Sequence, residues 1–156
     1  IRDRTGIIRN IFDGQGRLWV GQTGRGWRSV GKAIFGLQRI EWDGKTTPME
    51  MQSVQAQADG FRINFTKPIN KLEAADSENY QIRNWHYLYH PQYGSPKAEN
   101  KAIDRSEVHV SEDGLWVDLK LEMTTGKVYQ IQVDVAGADG SELSNNIGWY
   151  TLNWLP

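Results

Sequence analysis

Residues 115–135 carry the most restrictive pattern in the sequence. Leu115, Val117, Leu119 and Leu121 alternate with Trp116, Asp118 and Lys120, and the same period returns in Tyr129, Ile131, Val133 and Val135. A period of two sends successive side chains to opposite faces of an extended strand, whereas a helix would scatter them around its circumference. Thr124-Thr125-Gly126 lies between the two runs and turns the chain back on itself. Each strand therefore offers one apolar face that needs a cover. In a sequence with almost no helical periodicity, that cover is a second sheet.

The neighbouring segments repeat the pattern. Phe61, Ile63 and Phe65 share one face with Arg62 and Asn64 opposite, and Lys67-Pro68 ends the run. Tyr80 to His90 reads as a long aromatic strand. Its Tyr80 and Ile82 differ in parity from Trp85, Tyr87 and Tyr89, so a bulge near Arg83-Asn84 is expected to bring both sets to one face. Further strands are expected at 107–111 and 148–154. One helical turn is expected from Lys71 to Asp76, and a polar loop over 91–105 containing Pro91, Gly94 and Pro96. Roughly seven short strands over about 105 residues indicate an immunoglobulin-like antiparallel β-sandwich, spanning 48–156. The chain has no Cys, so the Cys–Trp–Cys signature of antibody domains is absent and no disulfide forms within it.

The N-terminal third has a different texture. Asp13-Gly14-Gln15-Gly16 is a tight turn between strands at 6–12 and 17–22, since Gly accepts positive φ at little steric cost. Residues 23–29 (Thr-Gly-Arg-Gly-Trp-Arg-Ser) read as a loop, a third strand follows at 37–42, and Asp43-Gly44-Lys45 turns the chain again. Residues 1–47 thus form a three-stranded segment like one blade of a β-propeller, placed before the sandwich. The expected class is all-β.

Charge narrows the functional classes. Eighteen basic residues nearly balance nineteen acidic ones, so bulk electrostatics point to neither nucleic acid nor an anionic membrane surface. No apolar run approaches the ~20 residues of a membrane helix, and membrane insertion is not expected. Ile1 is not a natural start, so the chain reads as trimmed at its N-terminus.

Catalytic and metal chemistry find little support. His86 and His90 lie four apart in a strand, a separation of ~13 Å that cannot serve one ion. Asp139, Glu142, Asn145 and Asn146 are rich in oxygen but lack the spacing of a dedicated calcium loop. Ser95 and Ser111 have no elbow or triad context, and the carboxylates at 104, 107, 112, 113 and 118 form no pair that spacing alone would place across a scissile bond. No catalytic residue and no metal site is expected.

Aromatic recognition is better supported, because seven Trp and six Tyr are a heavy load. Exposed rings stack on sugars while polar neighbours supply hydrogen bonds. Candidate ligand-binding residues are Arg25, Trp27 and Arg28 in the Gly-rich loop, Trp85, Tyr87, Tyr89 and Tyr93 around the aromatic strand, and Trp116, which alternation turns outward. The competing expectation, favoured for residues 85–89, is that most of these aromatics fill the sandwich core or seal the blade against the sandwich.

Two groups of segments also carry a family resemblance. Asp13 to Val20, Gly24-Arg25-Gly26-Trp27 and Gly36-Leu37-Gln38-Arg39 resemble the final blade of bacterial glucose/sorbosone dehydrogenase-like propellers. Phe61 to Pro68, Tyr80 to Trp85, Tyr93-Gly94-Ser95-Pro96 and Ser111 to Leu119 resemble the sandwich that follows that propeller in large secreted proteins. Those enzymes oxidise sugars with pyrroloquinoline quinone (PQQ), often with calcium, inside a complete propeller. No cofactor-binding or catalytic residue of theirs matches a position here, so the resemblance implies a cofactor-free, non-catalytic accessory module for docking. It implies a periplasmic or extracellular location, and as partners the rest of a parent propeller or a second copy. The alternative function is a carbohydrate-binding module whose Trp and Tyr stack on polysaccharide.

Overall fold

The alternating runs become antiparallel sheets in the computed structural model, which describes residues 5–24 and 33–156. The chain divides into two compact units, Ile1–Thr46 and Thr47–Pro156. Eleven strands in three sheets occur among the described residues, with very little helix.

In the first unit β1 (Gly6–Phe12), β2 (Leu18–Thr23) and β3 (Phe35–Ile40) form one sheet in the order β1-β2-β3. Asp13 builds the β1–β2 turn: its carboxylate accepts the backbone N–H groups of Gln15 and Arg17, the Arg17 guanidinium and the Trp19 indole N–H. Gly16 holds the positive φ that this turn needs. The third strand begins at Phe35 and ends at Ile40, two residues earlier at each end than expected, because Asp43 organises Lys45 and Thr46 into a polar turn of their own.

The second unit is a sandwich of two four-stranded sheets. One has the order β4-β5-β9-β8, from β4 (Met51–Gln57), β5 (Gly60–Phe65), β8 (Arg105–Val110) and β9 (Trp116–Leu121). The other has the order β11-β10-β6-β7, from β6 (Tyr80–Tyr87), β7 (Lys97–Ala102), β10 (Lys127–Val133) and β11 (Ile147–Leu152). The core lies between them. Phe61, Ile63 and Phe65 from β5 and Val117, Leu119 and Leu121 from β9 meet Tyr80 and Ile82 from β6, Tyr129, Ile131 and Val133 from β10, and Leu152 from β11. Burying each large side chain of this kind stabilises the fold by roughly 1.5–3 kcal/mol before entropy is counted. Phe61 sits in an aromatic contact with Tyr129, 5.1 Å between ring centres, and with Tyr150 at 5.3 Å.

A short helix, α1 (Lys71–Ala75), closes one end. Asn70 caps it by accepting from the N–H groups of Leu72 and Glu73, and donates in return to the Glu73 carboxylate. The other oxygen of that carboxylate accepts the Ala136 N–H at 2.9 Å. Beneath it the Tyr80 hydroxyl donates to the Ala74 carbonyl at 2.8 Å, and burial pushes the phenol well above its ordinary range.

Three expectations are corrected. The sandwich holds eight strands where roughly seven were expected, because both β4 and β7 join as edge strands. Residues 91–105 are not one loop, since β7 lies within them and pairs with β6. The bulge expected near Arg83-Asn84 is absent from the β6–β10 pairing, which runs unbroken from Tyr80 opposite Val133 to Trp85 opposite Val128. The register shift falls instead between β6 and β7, where Glu99 adopts a positive φ of 52°. Trp85 therefore faces outward, away from Ile82 and Tyr129.

Candidate functional site

The aromatic candidates in the second unit divide between the outer faces of the two sheets. On the β4-β5-β9-β8 sheet, β9 turns Trp116 and Asp118 outward while Val117 and Leu119 fill the core. Register sets Arg62 of β5 opposite Asp118. The guanidinium grips both carboxylate oxygens at 2.7 Å and lies over the Trp116 ring, 3.7 Å from its centre. The paired carboxylate holds the guanidinium's pKa above its already high ordinary value. The His109 ring stands 5.6 Å from Trp116. Trp116 is thus outward as expected, but Arg62 already occupies one of its faces.

Beside it lies a shallow depression of about 460 Å³ lined by His109, Val110, Ser111, Glu112, Asp113 and Trp116. Two of its polar groups, Ser111 and Asp113, serve the β8–β9 turn. Ser111 Oγ accepts the Trp116 N–H at 3.0 Å, and Asp113 accepts the Leu115 N–H at 3.0 Å. Those bonds, the Leu115 N–H first and the Ser111 hydroxyl next, hold the Asp113 carboxyl below its usual range. Such an arrangement rigidifies a turn, and it presents no nucleophile paired with a base.

On the opposite sheet Trp85 is 2% exposed yet lies outside the inter-sheet core. The Lys97 ammonium sits 3.8 Å from its ring centre and Tyr87 meets it edge-on at 6.3 Å. Its indole N–H is buried without a partner. Trp85 is therefore buried, but on the outer side of its sheet rather than in the core between the sheets. Tyr87 is half exposed, whereas Tyr89 and Tyr93 are fully exposed. Arg25, Trp27 and Arg28 lie outside the described residues.

Other polar groups are engaged within the fold. His86 Nδ1 lies 3.1 Å from the Lys127 ammonium and 3.4 Å from Glu99, and Lys127 also pairs with Glu99. In the 139–146 loop, Asp139 is bound by Lys67 and by Ser141, which hold its carboxyl well below the ordinary range, and Asn145 donates to Glu50. Among the described residues no group of three or more His, Asp or Glu is placed to hold a metal ion. No helix among them is long and apolar enough to cross a membrane.

Sequence reasoning missed Arg62, Asp118 and Lys97, the residues that decide how Trp116 and Trp85 are used. The only sequence signal was their place opposite or near the tryptophans, and that depends on strand register. It also passed over Trp149, which β11 turns outward at 62% exposure, and Trp154 beyond it at 81%.

No family model matches the sequence, and no curated protein matches it. Solved structures do. The chain is similar to the S-layer protein rSbsC(31-844), with 23% identity and a TM-score of 0.51 over 69% of this chain and 14% of that one. It is similar to domains 1–6 of surface layer protein SbsC, with 23% identity and a TM-score of 0.52 over 70% of this chain and 14% of that one. For the N-terminal part of the bacterial S-layer protein SbsC the values are 23% and 0.52, over 69% and 24%. The chain thus spans a quarter or less of the length of each of these chains. At this identity the likeness is one of fold.

These matches correct the dehydrogenase resemblance, because the structures found belong to an S-layer protein and none is a quinone-dependent sugar dehydrogenase. The propeller-blade description of the first unit, the role as a dehydrogenase accessory module and the carbohydrate-binding alternative are withdrawn with it. Gly-rich turns before aromatic strands are general hairpin chemistry, which is why they suggested a blade. What the matches show is a fold shared with part of S-layer protein SbsC over about 70% of this chain.

Proposed function

We propose that this chain is a structural, non-catalytic part of a larger cell-surface protein, acting by packing against other folded modules or other copies outside the cell. The observation that supports this most directly is the shared fold with S-layer protein SbsC over about 70% of the chain. The chemistry of the sandwich agrees with such a role. Its interior is filled by large side chains, polar groups such as Ser111, Asp113 and Asp139 serve turns, and its outer faces carry charge pairs such as Arg62–Asp118 and Lys120–Glu107. Those features favour a durable scaffold over a reacting cleft.

The test is location. Intact source cells would be treated with a protease or an amine label that cannot cross membranes, and this chain then recovered and compared with the same treatment after lysis. Equal modification in both samples supports the reading. Modification only after lysis would remove it.

A further inference from the structure

Three neighbouring strands of the β11-β10-β6-β7 sheet meet at one polar cluster. His86 of β6 lies opposite Ala98 of β7, and Lys127 opens β10 one place before Val128, which pairs with Trp85. The Lys127 ammonium sits 3.1 Å from His86 Nδ1 and also pairs with Glu99 of β7, whose carboxylate is 3.4 Å from the same ring nitrogen. An ammonium has only N–H groups to offer, so this contact requires a lone pair on Nδ1 and places the ring proton on Nε2. The side chain of Lys127 is 13% exposed and that of His86 30%, so water screens the contact only in part.

Glu99 is also where β7 departs from regular pairing. It is the one non-glycine with a positive φ among the described residues, at 52°, and it falls within the register shift between β6 and β7. A residue with a Cβ adopts that conformation at a cost, so its contacts must hold it there. Burial does little of that holding: β7 has no large apolar residue, and apart from Ala98 its residues are exposed. Further ties to β6 come from Lys97 on Trp85 and from Arg83, which donates to Asn100 at 3.2 Å.

We infer that His86, Lys127 and Glu99 form a proton-operated latch on the edge strand β7, closed while His86 Nδ1 keeps its lone pair and open once that nitrogen is protonated. Imidazole is the side chain that ordinarily changes charge between about pH 5 and 8. With a proton on Nδ1 the ring becomes a cation and a donor, 3.1 Å from a second cation that can only donate. The Lys127 contact to the ring is then lost, and two cations compete for one carboxylate. Lys127 faces the ring from β10 and Glu99 from β7; Lys101, the other charge of β7 near Glu99, adds to the positive side. Glu99 stays ionised in mild acid, because its hydrogen bond from Lys127 holds the carboxyl below the ordinary range. The incoming proton therefore goes to the ring, and the strand with least burial to hold it loosens from β6 at the Glu99 kink.

Amide hydrogen exchange of the full chain at about pH 7.5 and about pH 5, each corrected for the intrinsic rate, tests this. Protection of the 97–102 amides should fall ~10-fold or more at the lower pH, while that of β4, an edge strand with no titratable side chain, should change less than ~2-fold. His86→Gln keeps an oxygen that can accept from Lys127 but takes no proton, so its β7 protection should be the same at both pH values. Glu99→Gln should leave β7 weakly protected at both. Nitrogen-15 NMR of the wild-type ring needs no variant: Nδ1 should be unprotonated at the higher pH and gain its proton as β7 loosens. Equal β7 protection at both pH values in the wild type, an acid response that persists in His86→Gln, a Glu99→Gln chain as protected as the wild type, or a proton on Nδ1 at the higher pH would each overturn the proposal. None of these results bears on whether the chain lies at the cell surface, which the labelling experiment decides separately.

Discussion

The Arg62 guanidinium lies 3.7 Å from the centre of the Trp116 ring while holding both carboxylate oxygens of Asp118 at 2.7 Å. Two neighbouring strands are thereby joined on their solvent side by a stacked cation and a two-point ion pair. The groups are partly exposed, so solvent screens the pair. Arg62→Ala should still lower unfolding stability by about 1–2 kcal/mol, because stacking, ion pair and packing are lost together. Arg62→Lys should recover only part of that, since an ammonium cannot make the flat two-point contact. Chemical denaturation of the two variants checks this, and an Arg62→Ala chain as stable as the wild type would contradict it.

Trp85 and Trp149 both belong to the β11-β10-β6-β7 sheet and both face away from the core. Only Trp85 is covered, by Lys97 and Tyr87. Trp85→Ala should cost about 3–5 kcal/mol, the range for emptying a buried aromatic site. Trp149→Ala should change stability by no more than about 0.5 kcal/mol, as at most exposed positions. Thermal melts of the pair distinguish them, and equal effects would mean that Trp85 is not buried.

Gly60 opens strand β5 and Gly126 lies in the turn before β10, and their tolerance should differ sharply. A Cβ on Gly60 would sit 1.9 Å from the Leu119 carbonyl oxygen, inside the β5–β9 contact. Gly126 has a φ of +76° and nothing within 4 Å. Gly60→Ala should therefore cost more than about 4 kcal/mol or prevent folding. Gly126→Ala should cost only about 1 kcal/mol, the backbone penalty alone. Yields and denaturation midpoints measure both, and a folded, stable Gly60→Ala chain would refute the close approach.

Acid should expose the work of two carboxylates. The Trp19 indole N–H, with Arg17 beside it, holds Asp13 well below the ordinary carboxylate range, and Lys67 with Ser141 does the same for Asp139. A depressed folded value means the stabilisation is complete above the unfolded value near ~4 and is lost as pH falls through the folded one. Stability should therefore fall as pH drops below about 4, by an amount that solvent screening keeps modest, and Asp13→Asn and Asp139→Asn should each flatten that dependence. A profile unchanged in both variants would contradict the assignment.

Strands with one apolar face were legible in the sequence because burial on one side leaves a period of two, as at Phe61-Ile63-Phe65 and Tyr129-Ile131-Val133. Two of the four edge strands of the sandwich left no such trace. Met51–Gln57 is nearly all polar or small and becomes β4 through hydrogen bonding to β5; Lys97–Ala102 has no large apolar residue and becomes β7 through pairing with β6. Parity along β6 was read correctly, but a bulge was invoked to hide Trp85 in the core. The chain instead keeps its register and buries that ring on the outside under Lys97. The stacking of Arg62 on Trp116 was invisible for a related reason: it joins residues 54 apart in sequence, and only strand register brings them together.

Amide hydrogen exchange tests most directly the claim that the chain is built to hold a sealed core between two sheets. The account predicts that the slowest amides lie in the central strands β5, β9, β6 and β10 and share one opening free energy, equal to that of global unfolding. Amides of the edge strands β4 and β7 should open earlier. Fast exchange in β5 and β10 alongside strong protection elsewhere would contradict it.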